Sequence, residues 1–199
     1  MDRVRVVLIG DSIRMGYEST VRTLLGPSYE VITCAENGRS SETVLARLDE
    51  WALAHAPQLV HLNCGLHDLR RDFGANENAI PPALYANNLR AIFEKLQAGT
   101  AIQIVWAQTT PVNEAWHHQT KDFDRREADV DAYNRCAQAI AAQKGIQIND
   151  LHRVIQDAGR DRLLRDDGVH FTPEGSELLG QAVAEAIQKA VSKSDFRGA

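Results

Sequence analysis

Cysteine is scarce: Cys34, Cys64 and Cys136 are three in 199 residues, an odd number without metal-type spacing. That excludes a disulfide framework and leaves reduced thiols. No apolar run approaches the ~20 residues needed to span a bilayer, and the stretch behind Met1-Asp2-Arg3 is too short for the apolar region of a signal peptide. A soluble, cytoplasmic chain with no membrane insertion is expected. Positive charge is not massed either. The 22 Lys and Arg are scattered among 27 Asp and Glu, the net charge is -5, and no basic stripe is available to neutralise a run of phosphates. Nucleic acid is therefore not an expected partner. Repeats, low-complexity tracts and linkers are missing as well, so residues 1–199 read as a single domain. With 44% hydrophobic residues it can bury its own core. A homo-oligomer stays compatible with all of this.

What is there begins with short β-branched runs alternating with amphipathic segments. Val4 to Ile9, Tyr29 to Cys34, Gln58 to Leu62, Ala101 to Ala107 and Ile146 to Ile148 read as buried strands, and their near-continuous apolar character predicts a parallel sheet. Between them, Val44, Leu45, Leu48, Trp51 and Ala52 repeat at helical spacing, as do Leu89, Ile92, Phe93 and Leu96, then Val130, Tyr133, Ala137 and Ile140. Thr172-Pro173-Glu174 opens a last helix with Leu179, Val183, Ile187 and Val191 along one face. Strand and helix alternating five times predicts an α/β fold: a three-layer α/β/α sandwich on a five-stranded parallel sheet, doubly wound in the flavodoxin-like order. Ligands bind such sheets beyond the carboxyl ends of their strands.

The polar residues gather at those ends. Asp11 and Ser12 leave the first strand, Asn37 and Gly38 the second, Gly65, His67 and Asp68 the third, and Gln108, Thr109 and Thr110 the fourth. Asp167-Gly168-Val169-His170 stands 158 positions beyond Ser12, where a carboxylate three residues ahead of a histidine can fold back onto its ring. A serine hydroxyl becomes a nucleophile only when a base takes its proton and a third group orients that base, and Ser12, His170 and Asp167 supply these types. The polar stretch from Asn113 to Asp129 is expected to begin as a loop over the rim.

Gly10-Asp11-Ser12, the glycine of Asn37-Gly38-Arg39, Gly65-Leu66-His67-Asp68 and Asp167-Gly168-Val169-His170 together resemble the SGNH (GDSL-type) hydrolase family, across nearly the whole chain. The resemblance implies a three-layer α/β/α sandwich and a serine esterase with no metal or other cofactor. It implies Ser12 as nucleophile, His170 as general base, Asp167 as orienting acid, and an oxyanion hole from the amides of Ser12 and Gly38. Where the family has asparagine as the third donor, this chain has His67. A neutral imidazole keeps one N–H and can fill the role; alternatively His67 packs or pairs with Asp68.

Other residues have plainer readings. Asp11 and Asp150 read as helix caps, His152 as a surface histidine, Asp166 as a bystander, Cys64 as a buried strand-end thiol, and Arg70-Arg71-Asp72 as solvated loop. His117 and His118 are adjacent and so point apart, which argues against a metal. The small-molecule substrate expected is a short-chain, above all acetyl, ester of a carbohydrate or other polar alcohol. A lysophospholipase or thioesterase shares this chemistry. Two other classes compete: a non-catalytic binding module, and a phosphate-handling domain using Asp11, Asp68 and Thr109, which would want a lysine where Ile148 is followed by Asn149-Asp150-Leu151.

Overall fold

The computed structural model describes residues 3–98 and 101–195. Its main sheet has five parallel strands, β1 (Val4–Ile9), β2 (Tyr29–Thr33), β3 (Leu59–Leu62), β5 (Gln103–Ala107) and β7 (Gln147–Asn149), in the order β2-β1-β3-β5-β7. Counting these strands alone, that is the flavodoxin-like order, with a crossover reversing direction at β1. Register follows the apolar runs: Val6 lies beside Val31, Val7 beside Val60, and Trp106 beside Ile148. Beyond Val4, Arg5 and Gln103 at their amino ends, the side chains of the three inner strands are buried on both faces, as a sheet covered on each side requires.

Two helix layers do the covering. Helices α1 (Ser12–Leu25), α6 (Leu151–Asp157) and α8 (Pro173–Asp195) pack together on one face, and α2 (Ser41–Trp51), α3 (Pro82–Gln97) and α5 (Glu127–Gln143) on the other. The start of α8 is set by the Thr172 hydroxyl, which accepts the Gly175 N–H at 3.2 Å. Leu179, Val183 and Ile187 on that helix are fully buried. Among the described residues no helix is long and apolar enough to cross a membrane.

Two expectations need correction, both above the rim of the sheet. The stretch from Asn113 to Asp129 is not a loop. The Asn113 side chain accepts the Trp116 N–H at 3.2 Å and so starts helix α4 (Glu114–Thr120), followed by strand β6 (Phe123–Asp124). Nor are Arg70, Arg71 and Asp72 merely solvated loop: β4 (Arg71–Asp72) pairs antiparallel with β6, and Arg71 Nε donates to Asn78 Oδ1 at 2.9 Å. This small ribbon ties the segment after β3 to the segment after β5. A short helix α7 (Arg160–Leu163) precedes the Asp167 turn.

Candidate active site

Ser12 owes its place to the abrupt change from strand to helix. Strand β1 ends at Ile9, Asp11 caps α1 by accepting the Ile13 N–H at 2.9 Å, and Ser12 is the first helical residue. The first turn of a helix leaves its amides without intrahelical acceptors, the Ser12 N–H among them. Asp11 itself is buried, with Oδ1 spent on the cap.

The opposite side of the site is a turn that only its sequence allows. Asp167 Oδ1 accepts the N–H groups of Val169 (3.1 Å) and His170 (2.9 Å), which folds the carboxylate back beneath the histidine. Gly168 sits at φ +70°, and a Cβ there would stand 2.3 Å from the Asn113 carbonyl oxygen and 2.8 Å from the His117 nitrogen. Glycine is thus required both by conformation and by the close approach of α4, whose cap residue Asn113 donates its N–H to Gly168 O at 2.8 Å.

Folding brings these two segments together. His170 Nε2 lies 2.8 Å from Ser12 Oγ, and His170 Nδ1 lies 2.5 Å from Asp167 Oδ2. A carboxylate only accepts, so Nδ1 carries the ring proton and Nε2 presents its lone pair to the hydroxyl. Burial works to raise the Asp167 pKa, but hydrogen bonds from the His170 ring and from the amides of His170 and Val169 outweigh it, and the group falls to about 2. It stays ionised. Lys121 adds a cation 3.9 Å from Asp167 Oδ2.

The remaining candidates lie on the same rim. His67 is half-buried and makes no hydrogen bond with any described residue. Burial lowers its pKa; Asp11 pulls the other way, and Arg125, Arg39 and Arg70 add to the lowering. It does not pair with Asp68, which is committed elsewhere: both Asp68 oxygens accept the Ser41 N–H, at 2.9 and 3.0 Å. Asp68 thereby caps α2 from another segment, in place of the Ser40 side chain, and locks the Gly38 loop to the His67 loop. Burial raises Asp68 to about 6 against the pull of the Ser41 hydrogen bonds.

Gly38 reaches the rim as well, where a Cβ would meet Gly10 O at 2.8 Å. Its N–H, however, donates to that same Gly10 oxygen at 3.0 Å. Sequence offers no sign of this, because the contact joins the exits of two different strands.

Other polar residues are accounted for locally. Asp150 caps α6 through the Arg153 N–H, while His152 turns instead to Glu127 at 2.9 Å. Asp166 is exposed and Cys64 fully buried. Thr109 is clamped by Asn134, which accepts its N–H and donates to its carbonyl, both at 2.8 Å. Asp68 and the Thr109 backbone are committed in this way, whereas Asp11 uses only Oδ1 on its cap. His117 and His118 do point apart, His117 inward to Arg125 and His118 outward to Asp124. Arg125 is the residue the sequence did not single out. It is buried, donates to Leu66 O at 2.7 Å and to His117 Nε2 at 3.2 Å, and so joins the ribbon segment to the loop carrying His67. Nothing in the Phe123 to Arg126 spacing marks it.

The sequence profile of the GDSL-like lipase/acylhydrolase family matches residues 8–178. Among curated proteins, the chain is 25% identical over 218 residues to an isoamyl acetate-hydrolyzing esterase 1 homolog of Bos taurus, covering 96% of this chain and 84% of that one. It is 26% identical over 223 residues to an acetylxylan esterase of Xylanibacter ruminicola, covering 94% of this chain and 44% of that one. Among solved structures, a lipase/acylhydrolase from Enterococcus faecalis superimposes with a TM-score of 0.79 at 23% identity, over 95% of this chain and 96% of that one.

Proposed function

The chain belongs to the GDSL-like lipase/acylhydrolase family, the SGNH hydrolases, and from that premise we propose that it is a serine esterase of short-chain acyl esters, acetyl esters of a carbohydrate or other small polar alcohol above all. The observation that carries this reading is the relay of Ser12 to His170 to Asp167, at 2.8 and 2.5 Å, between groups from the two ends of the chain.

In this mechanism His170 Nε2 takes the Ser12 proton as Oγ attacks the ester carbonyl carbon, and Asp167 stabilises the imidazolium that forms. The tetrahedral oxyanion is held by the Ser12 N–H, the neutral imidazole of His67 and the Gly38 amide. His170 then gives its proton to the departing alcohol, and a water activated by the same nitrogen cleaves the acyl-Ser12 ester. His67 suits the donor role, since its lowered pKa favours the neutral ring and neither ring nitrogen bonds to a described residue. Gly38 is the weakest of the three donors, because it shares its N–H with Gly10 O.

Two relatives whose names specify acetyl esters, isoamyl acetate and acetylxylan, support the small acyl group. The cations Arg39, Arg70, Arg125 and Lys121, around His67 and Asp167, support a polar alcohol over a fatty chain. The test is hydrolysis of p-nitrophenyl esters of increasing acyl length, with fluorophosphonate labelling of Ser12. Turnover should peak at acetate and vanish in Ser12→Ala together with the label; an unchanged rate in that variant removes the proposal.

A further inference from the structure

Burying a guanidinium is costly unless an anion compensates it, because the charge gives up water for neutral acceptors. Arg125 is held in that condition. It is 7% exposed, its two hydrogen bonds go to a carbonyl oxygen and an imidazole, and among the described residues no carboxylate oxygen comes within 4.0 Å of it. Its Nη2 bonds to no described residue and is not sealed from solvent.

The position matters as much as the missing partner. Leu66, which holds Nε, is the neighbour of His67, and His117, which holds Nη1, is the residue whose backbone nitrogen lies over Gly168. The guanidinium therefore sits between the loop carrying His67 and the turn carrying Asp167 and His170. Asp11 and Asp167 are both within its electrostatic reach. Two further arginines act on His67, Arg39 from another segment and Arg70 from its own. Arg39, at the exit of β2, is exposed and its guanidinium makes no hydrogen bond or ion pair with a described residue. Arg70, after β3, lies 4.0 Å over the Phe123 ring and is balanced by Asp72 at 2.8 Å. In a chain of net charge -5, three arginines from three segments act together on the imidazole of His67.

We infer that Arg125, flanked by Arg39 and Arg70, forms an anion subsite beside Ser12, and that the preferred substrate is an ester bearing a carboxylate or similar oxyanion group a few bonds from the scissile carbonyl. A planar guanidinium fork suits such a group, and partial exclusion of water strengthens the pairing. The inference rests on the esterase reading and narrows its substrate to acidic esters, with the anion carried by either the alcohol or the acyl part.

Matched ester pairs test it, with background hydrolysis subtracted. m-Acetoxybenzoate against m-acetoxybenzamide places the charge on the alcohol; p-nitrophenyl hemiglutarate against p-nitrophenyl pentanoate places it on the acyl group. The readout is the ratio of kcat/KM within a pair, which cancels any general loss of folded or active protein. In the wild type one pair should favour the anion about tenfold or more at low salt, and the ratio should shrink as ionic strength rises. Arg125→Gln should bring it near or below one, and the exposed Arg39→Gln should lower it by a smaller factor. Neutral esters turned over with no anion preference in either pair, or a preference that survives Arg125→Gln unchanged, overturns the subsite while leaving the esterase standing. Failure to hydrolyse every member of both pairs overturns the esterase and the subsite with it.

Discussion

His61, in the middle of β3, gives the most sharply quantifiable prediction. Its side chain is fully buried in the central sheet, Nε2 accepts from Asn149 Nδ2 at 3.2 Å, and Nδ1 has no hydrogen-bond partner among the described residues. Burial pulls its pKa from 6.5 to about 3. Between those values the unfolded chain holds a proton on this ring and the folded chain does not, so stability falls as pH falls through that window. At pH 5 the gap is about 1.5 pH units, or about 2 kcal/mol, rising to about 3 kcal/mol at pH 4. Asp68 opposes this, since its raised pKa lets the folded state hold a proton the unfolded one lacks between about 6 and 3.8. The total pH dependence therefore mixes both groups, and a difference between variants isolates one. In His61→Leu the ring is removed from an apolar strand, and Asn149 Nδ2 keeps its bond to Ala182 O. Urea unfolding of wild type and variant at pH 7.5 and pH 5 measures the effect. The variant's deficit at pH 7.5 should shrink, or turn to an advantage, by about 2 kcal/mol at pH 5, equivalent to about 4–8 °C in midpoint for a chain of this size. Parallel losses in both proteins on acidification would show that His61 does not carry the acid sensitivity.

Three further outcomes concern the site. Gly168→Ala, which touches no reacting group, forces a Cβ into Asn113 O at φ +70°; it should cost about 1–3 kcal/mol of stability and lower kcat by about tenfold to a hundredfold in p-nitrophenyl acetate assays, whereas a wild-type rate would mean that α4 does not position the Asp167 turn. His67→Asn should keep measurable activity while His67→Ala loses a factor of about 10²–10³, and equal rates in the two variants would take the imidazole out of the oxyanion hole. Asp167→Asn should leave the fold intact by circular dichroism yet slow acyl transfer about 10³–10⁴-fold by disturbing the His170 tautomer; a loss under tenfold would point to a different acid.

Much of this geometry is readable in the chain before folding. The apolar run Val4 to Ile9 can only be a covered strand, and Thr172-Pro173 announces a helix start that the Thr172 hydroxyl then makes. Asp167 and His170 meet through a local turn whose ring, carboxylate and glycine are all within four residues, so spacing alone predicts their contact. The segment after Asn113 was harder, because α4 buries little apolar surface beyond Trp116 and His117 and shows no helical stripe. Its capping asparagine was the available signal. Arg125 carried none: its importance lies in the absence, among the described residues, of a carboxylate oxygen within 4.0 Å, and that is a property of surroundings drawn from Leu66 and His117.

The sequence by itself determined the alternation of strands and helices, and hence the parallel sheet and its rim, because burial periodicity is local and each element expresses it independently. It also determined which residue types stand at the strand exits. Only the tertiary structure decided their pairings: that Asp68 serves Ser41 and not His67, that the Gly38 N–H answers to Gly10, and that the Arg125 guanidinium bonds to Leu66 O and His117 Nε2 and, among the described residues, to no carboxylate. Those are long-range choices among donors and acceptors with near-equal chemistry. They are settled by which loops the packed helices bring within about 3 Å of each other, and spacing along the chain does not encode that distance.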